Sequence, residues 1–240
     1  MYICHVKKWF RYLGFNRSSK NASSIQEEEE KDEPVTHLLD RFEKAYPYLA
    51  VRIYPAEIIH AFQEEDLIVR YDIEGLPSIL VLDLPDSVEC VLRSDIASWE
   101  KSDEELFEIG LKNLREKYKR EWERGPHHFL QITENDNFVT TEALLLERNK
   151  ACMGAFGCIF CLPERDLLLC APISSDIDLE VCLQRMIPLC NELYDAAGEL
   201  KLSDQIFWHY QNQNQKLYTI YSTGRLKYVL PQELEELVYG

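Results

Sequence analysis

The chain has 240 residues, 46% of them hydrophobic and 11% aromatic, which is enough apolar material for a core. Its formal net charge is −16; residues 1–26 carry +5 and no acid, so the remaining 214 residues carry −21. A body this acidic repels nucleic-acid phosphates and anionic lipid, so no nucleic-acid partner is expected. The acidity either steers the protein toward a basic protein partner or, as the simpler alternative, only keeps it in solution.

Two features predict a soluble cytoplasmic protein. The longest charge-free stretch near the middle of the chain, residues 151–163, has 13 residues, short of the roughly 20 that span a bilayer. The eight cysteines lie mostly in apolar surroundings and no secretory segment opens the chain, which indicates free thiols in a reducing compartment.

Residues 1–33 are predicted to be a basic N-terminal segment followed by an acidic linker. Residues 1–15 mix aromatic and basic side chains, as a short amphipathic helix does. Such a helix would dock on its own domain, or make weak peripheral membrane contact through residues 1–20. Residues 16–33 run from Asn and Ser to consecutive glutamates and cannot bury apolar area.

Residues 34–124 are predicted to be an N-terminal α+β lobe. A helix ending at Pro47 is followed by strands at 51–54, 67–71, 78–84 and 88–92. Ser102 and Glu105 form a capping box at the start of a helix that Gly125-Pro126 closes.

Residues 125–240 are predicted to be a C-terminal α+β lobe, which together with the first makes one compact domain. A strand at 128–132 and a helix at 141–148 lead to an apolar hairpin at 156–171. Ser174-Ser175-Asp176 then caps a helix that runs to Ala197, with Gly198 as its stop. Alternating strands at 205–210, 216–221 and 225–230 predict a three-stranded meander before a short C-terminal helix.

The hairpin at 156–171 organises the predicted fold. Both of its arms are apolar at successive positions, the pattern of strands covered on both faces, so it belongs at the centre of a sheet. The sequence therefore predicts an α+β fold: a mixed or mainly antiparallel sheet centred on the hairpin, with helices on its faces and the meander at its C-terminal side.

The cysteines in the hairpin do not predict a metal site. Cys158 and Cys161 lie three apart in a strand, where they point to opposite faces and cannot converge on zinc. The register leaves two alternatives. If Arg165-Asp166 is the loop, Cys161 is opposite Cys170; if Glu164-Arg165 is the loop, Cys161 is opposite Leu168. No metal and no cofactor is expected.

Three groups of residues are candidates for binding. Polar side chains at the tip of a buried hairpin are where a rigid sheet presents a binding group, although the same residue types also suit a turn. Exposed aromatics among acids suit a protein interface, although those of the meander could equally form its buried face. The candidates are the tip residues Glu164, Arg165 and Asp166, the pair Asp83 and Asp86, and the meander aromatics Trp208, Tyr210, Tyr218 and Tyr221.

Short phrases occur in the order seen in a known family. They are Val51-Arg52-Ile53-Tyr54-Pro55, Gly75-Leu76 with Val81-Leu82-Asp83-Leu84-Pro85, Trp99 with Asn113-Leu114, Glu142-Ala143-Leu144-Leu145-Leu146, Pro163-Glu164-Arg165-Asp166-Leu167-Leu168-Leu169, and Leu202-Ser203 before Ile206-Phe207. On these the chain resembles, over about Pro34 to Tyr210, the YtpQ-like family of uncharacterised bacterial proteins. That family has no established activity, so the resemblance implies a cytosolic α+β domain and supplies no catalytic residues.

Three functions are compatible with these patterns. The first is a non-catalytic binding or inhibitory module, of the immunity type, whose acidic body covers a basic protein. The second is a hydrolytic enzyme with carboxylates near the hairpin tip. The third is a membrane-peripheral protein that uses its basic N-terminus. The sequence contains no nucleophile elbow, P-loop or dinucleotide fingerprint, and the first function is preferred to an enzyme.

Overall fold

A computed structural model describes residues 35–240 apart from 63, 135, 223 and 224. The predicted basic segment and its linker, residues 1–33, lie outside the described residues. The described chain folds as α+β with antiparallel sheets, as predicted, but its strands form two sheets rather than one. None of its helices, within these residues, has the length and apolar character to cross a membrane.

The first sheet has four strands around a buried centre. Its strands are β1 (Leu49–Ile53), β2 (Val69–Ile73), β3 (Leu76–Asp83) and β4 (Val88–Cys90), and β3 pairs with the other three. All eight residues of β3 are buried, so this strand is covered on both faces. Short helices precede and follow β1: α1 (Val35–Leu39), α2 (Phe42–Ala45) and α3 (Ile58–Ala61).

Helix α4 (Asp103–Lys117) packs on this sheet. It begins with the predicted capping box: Ser102 Oγ accepts from the Glu105 N–H at 3.2 Å, and Glu105 Oε2 accepts from the Ser102 N–H at 3.0 Å. Gly110 permits close contact with β1, since a Cβ there would lie 3.0 Å from the Ala50 carbonyl carbon. The helix ends before the predicted Gly125-Pro126 stop, because Lys117 and the extended Tyr118 both bind Asp83.

The second sheet has seven strands and contains the hairpin. Its order is β11-β10-β9-β7-β8-β6-β5, so β7 occupies the central position. The strands are β5 (Glu123–Arg124), β6 (Leu130–Thr133), β7 (Cys158–Glu164), β8 (Leu167–Pro172), β9 (Ile206–Tyr210), β10 (Gln213–Ser222) and β11 (Arg225–Val229). The last three form the predicted meander.

The two faces of the second sheet are covered differently. Helices α5 (Asp176–Ala196) and α6 (Gln232–Tyr239) cover one face, where Leu179, Leu183 and Leu234 join its core. The other face packs on the first sheet and on two 3-10 helices, Val139–Leu144 and Leu146–Arg148. These two 3-10 helices replace the α-helix predicted at 141–148. They also contact the first sheet, because the Thr141 hydroxyl donates to the Val51 carbonyl at 3.0 Å.

A bulge determines the register of the hairpin. The loop is Arg165-Asp166, with Glu164 opposite Leu167, but the register shifts between Cys161 and Glu164. The predicted Arg165-Asp166 loop is therefore correct, but Cys161 lies opposite Leu169 and not opposite Cys170 or Leu168. The bulge puts Cys161 on the α5 side of the sheet and Cys170 on the other.

The buried thiols should be unreactive in the folded protein. Burial raises the pKa of the Cys161 and Cys170 thiols well above the usual range, and the thiolate is the nucleophile. We expect both to react with DTNB at pH 8 at least about a hundredfold more slowly than in urea, since labelling requires an opening that costs several kcal/mol. Mass spectrometry of the labelled peptides measures this, and the same peptides labelled in urea are the comparison. Rapid labelling of Cys161 or Cys170 would contradict the burial.

Candidate functional site

The hairpin tip is enclosed rather than presented to solvent. The Arg165 N–H donates to the Leu200 carbonyl at 3.0 Å, and Arg165 Nη2 donates to the Glu199 carbonyl at 2.9 Å. Glu164 forms a β-bridge with Lys201. The segment that follows α5 therefore holds the tip in place, and Arg165 itself is buried.

One charged residue of the first sheet, Arg52, lies near the tip. Arg52 of β1 is buried, and its guanidinium carbon lies 4.9 Å from the centre of the Tyr54 ring. Burial and the nearby Arg52 charge lower the pKa of Arg165. Burial raises the pKa of Asp166, which the Arg52 charge opposes. The hairpin and the first sheet thus meet in a polar layer. The sequence did not predict this layer, because Arg52 lies within a predicted strand and nothing in that strand indicates contact with the hairpin tip.

A second charged group lies beside this layer. The Arg120 side chain is only 4% exposed and pairs with Glu134, Asp136 and Glu142. The Asp136 carboxylate also accepts from the Phe138 N–H at 2.7 Å. Burial raises the pKa of Glu142, and the Arg120 charge opposes that rise. Carboxyl groups with raised pKa suit proton transfer, but here they also neutralise a buried arginine.

The predicted pair Asp83 and Asp86 differ in burial. Asp83 is buried and accepts from Lys117 Nζ at 2.6 Å and from the Tyr118 hydroxyl at 2.9 Å. Asp86 is exposed in the turn between β3 and β4. Asp83 thus joins helix α4 to the sheet, whereas Asp86 faces solvent.

The meander aromatics are divided between core and surface. Trp208 is fully buried, donates from Nε1 to the Phe156 carbonyl at 2.7 Å, and stacks on Tyr210 with 5.3 Å between ring centroids. It therefore cannot contact a partner, which corrects the expectation of an exposed tryptophan. Tyr218 is exposed, and its hydroxyl donates to Glu74 at 2.7 Å. The Tyr221 side chain lies outside the described residues.

Sequence reasoning missed an exposed apolar surface on the two helices over the second sheet. Ile177 and Val181, one turn apart on α5, are 69% and 38% exposed, and Tyr239 on α6 is 52% exposed. The charges of Asp176 and Glu180 contribute to the raised pKa of Tyr239, whose largest cause is burial, so the two helices are adjacent here. We call this surface the α5–α6 face; its residues are Asp176, Ile177, Asp178, Glu180, Val181 and Tyr239.

A detectable signal for this face exists in the sequence. Ile177 and Val181 are four residues apart and so share one side of a helix, whereas Leu179 and Leu183 lie on the opposite, core-facing side. Apolar residues on both sides of an otherwise amphipathic helix indicate a second contact surface.

No group of three His, Cys, Asp or Glu side chains in the described part of the chain is arranged to hold a metal ion. In comparisons with known proteins, no family model, curated protein or solved structure matches this chain.

Proposed function

We propose that this protein is a non-catalytic binding module that covers a basic protein partner with its α5–α6 face, in the manner of an immunity-type inhibitor. The observation that carries the proposal is the group of exposed apolar side chains, Ile177, Val181 and Tyr239, set among the exposed acids Asp176, Asp178 and Glu180. We propose a cytoplasmic location for it, and membership of the YtpQ-like family stays a prediction.

The chemistry of this face suits such a partner. Protein interfaces combine an apolar centre with a polar rim, and aromatic residues are enriched at the centre. Carboxylates around that centre accelerate encounter with a basic surface and disfavour acidic ones. The charge of −21 over residues 27–240 acts in the same direction at longer range.

An affinity pull-down from native lysate at low and high salt tests the proposal. We expect a single basic protein, captured stoichiometrically at low salt and released by high salt. Replacing Ile177 and Val181 together by serine should weaken its binding at least about tenfold, since truncating well-packed interface residues commonly costs more than 1 kcal/mol each. Glu180→Lys should mainly slow association and reduce the salt dependence.

Tyr71→Ser is the matched control, because Tyr71 is also half exposed but lies on β2 of the first sheet. Its binding should equal that of the unmodified protein. Capture that survives the double serine change, in a variant with an unaltered circular dichroism spectrum, would exclude the α5–α6 face as the binding surface.

A further inference from the structure

The acids of the α5–α6 face lack counter-charges. Within the described part of the chain, no lysine, arginine or histidine nitrogen lies within 4 Å of the carboxylates of Asp176, Asp178 or Glu180. The first turn of α4 is different, because its acids pair with Arg70 and Arg93. An acidic surface without paired cations attracts a basic one.

The apolar side chains of this face also lie together, unlike other exposed ones. Tyr71 and Tyr218 are on separate strands, and the hydroxyl of each donates to a glutamate. On the α5–α6 face, the half-buried Tyr228 of β11 adds to the three exposed apolar residues. The Glu180 charge contributes to the raised pKa of Tyr228, whose largest cause is burial, so Tyr228 lies beside α5. The face is therefore a continuous apolar surface among unpaired acids.

Residues 1–15 of the same chain have the complementary chemistry. They contain three cations, Lys7, Lys8 and Arg11, and no acid. Four apolar residues recur at steps of four, three and four: Tyr2, Val6, Trp9 and Leu13. This spacing predicts a helix with one apolar side, and Lys7 and Arg11 fall on the opposite side.

We propose that residues 1–15 dock on the α5–α6 face of their own chain and cover it until a basic partner displaces them. The apolar side of the segment would lie on Ile177, Val181 and Tyr239, and its cations would reach the surrounding acids. This regulation rests on the proposed function, whereas the docking itself requires no partner.

Other occupants fit this face less well. A second copy of the face would bring like charges together, and anionic lipid would be repelled in the same way. The consecutive glutamates Glu27–Glu30 offer the cations of the segment a charge but no apolar surface. Only a basic and apolar occupant satisfies both halves of the face.

The chain between the segment and the body is long enough for this contact. Residues 16–33 span about 60 Å when fully extended, whereas a domain of this size has a radius of gyration of about 17 Å. The segment therefore reaches most of the surface. Tethering also keeps its concentration at the face near ~1 mM. A contact with a dissociation constant well below this value keeps the face mostly covered and weakens partner binding in proportion.

Zero-length cross-linking with a carbodiimide tests the docking in the full chain, because this reagent joins a lysine amine to a carboxylate in direct contact. We expect Lys7 and Lys8 to be joined to acids of the α5–α6 face at least about fivefold more often than to Glu108, an exposed acid of α4. Peptide mass spectrometry on an equal mixture of ¹⁵N-labelled and unlabelled protein shows whether both joined residues belong to one chain.

Two pairs of serine changes keep every lysine and acid but remove the apolar contact from one side. Trp9→Ser with Leu13→Ser, and separately Ile177→Ser with Val181→Ser, should lower these cross-links at least about fivefold. Tyr71→Ser is the matched control and should leave them unchanged. The change at Trp9 and Leu13 lies outside the described body, so it still tests the docking if the change on α5 disturbs the fold.

Cross-links spread evenly over the exposed acids, or cross-links that survive both serine pairs, would overturn the docking. Joined residues that belong only to different chains would also overturn it, in favour of exchange between two copies. A pull-down that captures no partner would leave the cross-links unchanged, because they form without one. Loss of the proposed function and loss of the docking are thus distinguished.

Discussion

Replacing Arg120 by methionine is expected to lower the free energy of unfolding by about 3–5 kcal/mol at pH 7, the usual cost of breaking a buried ion pair from one side. Methionine keeps much of the volume of the side chain but leaves Glu134, Asp136 and Glu142 without their shared cation. Urea denaturation followed by circular dichroism measures the loss.

Lower pH should partly restore the stability of the Arg120→Met variant. Burial already raises the pKa of Glu142, and removal of Arg120 takes away the charge that opposes the rise. A carboxyl group whose pKa is higher in the folded than in the unfolded state binds more protons when folded, so the free energy of unfolding increases as the pH falls. The deficit of Arg120→Met should therefore narrow between pH 7 and pH 5.

Arg93→Met is the matched control for this experiment. Arg93 also binds a carboxylate with both terminal nitrogens, that of Asp103, but its side chain is half exposed. The free energy of unfolding of Arg93→Met should fall by less than about 1 kcal/mol, which is the usual contribution of a surface ion pair. Equal losses in the two variants would show that Arg120 is not a buried charge centre.

Replacing Trp208 by alanine is expected to lower the free energy of unfolding by about 3–5 kcal/mol, the range for removing a large aromatic side chain from a core. Trp208 is fully buried beside Ile159 and Ile206 in the core under α5. Trp208→Phe keeps a ring but leaves the Phe156 carbonyl without its donor, so about 1–3 kcal/mol should be lost.

Tyr218→Ala is the control for Trp208, because Tyr218 lies on the neighbouring strand but is exposed. The free energy of unfolding of Tyr218→Ala should differ from that of the unmodified protein by no more than about 0.5 kcal/mol. Urea denaturation followed by far-ultraviolet circular dichroism suits this series, since fluorescence changes with the loss of a tryptophan. A Trp208→Ala variant as stable as Tyr218→Ala would place Trp208 outside the core.

Local patterns in the sequence correctly predict several elements. Ser102 and Glu105 form the expected capping box, because both hydrogen bonds lie within four residues. The apolar arms of the hairpin predict a central position in a sheet, since continuous apolar strands need cover on both faces whatever supplies it. The alternating strands after residue 205 correctly predict the meander, since alternation of apolar and polar residues is typical of antiparallel strands with one covered face.

The candidate site was less predictable. Arg165 and Asp166 form the hairpin turn, as the residue types indicate, but their neighbours Arg52 and Glu199 come from distant parts of the chain. Trp208 shares its alternating pattern with Tyr210, and the pattern does not say which face is covered. Helix α5 covers the Trp208 side, and this turns a predicted interface residue into a core residue.

The sequence alone determined the α+β class, the central hairpin, the capped helices and the acidity of the body. Periodicity and helix caps depend on residues close together in the chain, and net charge is the sum over all residues. The tertiary structure decided the division into two sheets, the bulge between Cys161 and Glu164, the end of α4 and the surroundings of Arg165. These depend on contacts such as Asn214 with the Asp72 carbonyl, 142 residues apart. No local pattern encodes such a contact, since it forms only when both sheets have packed.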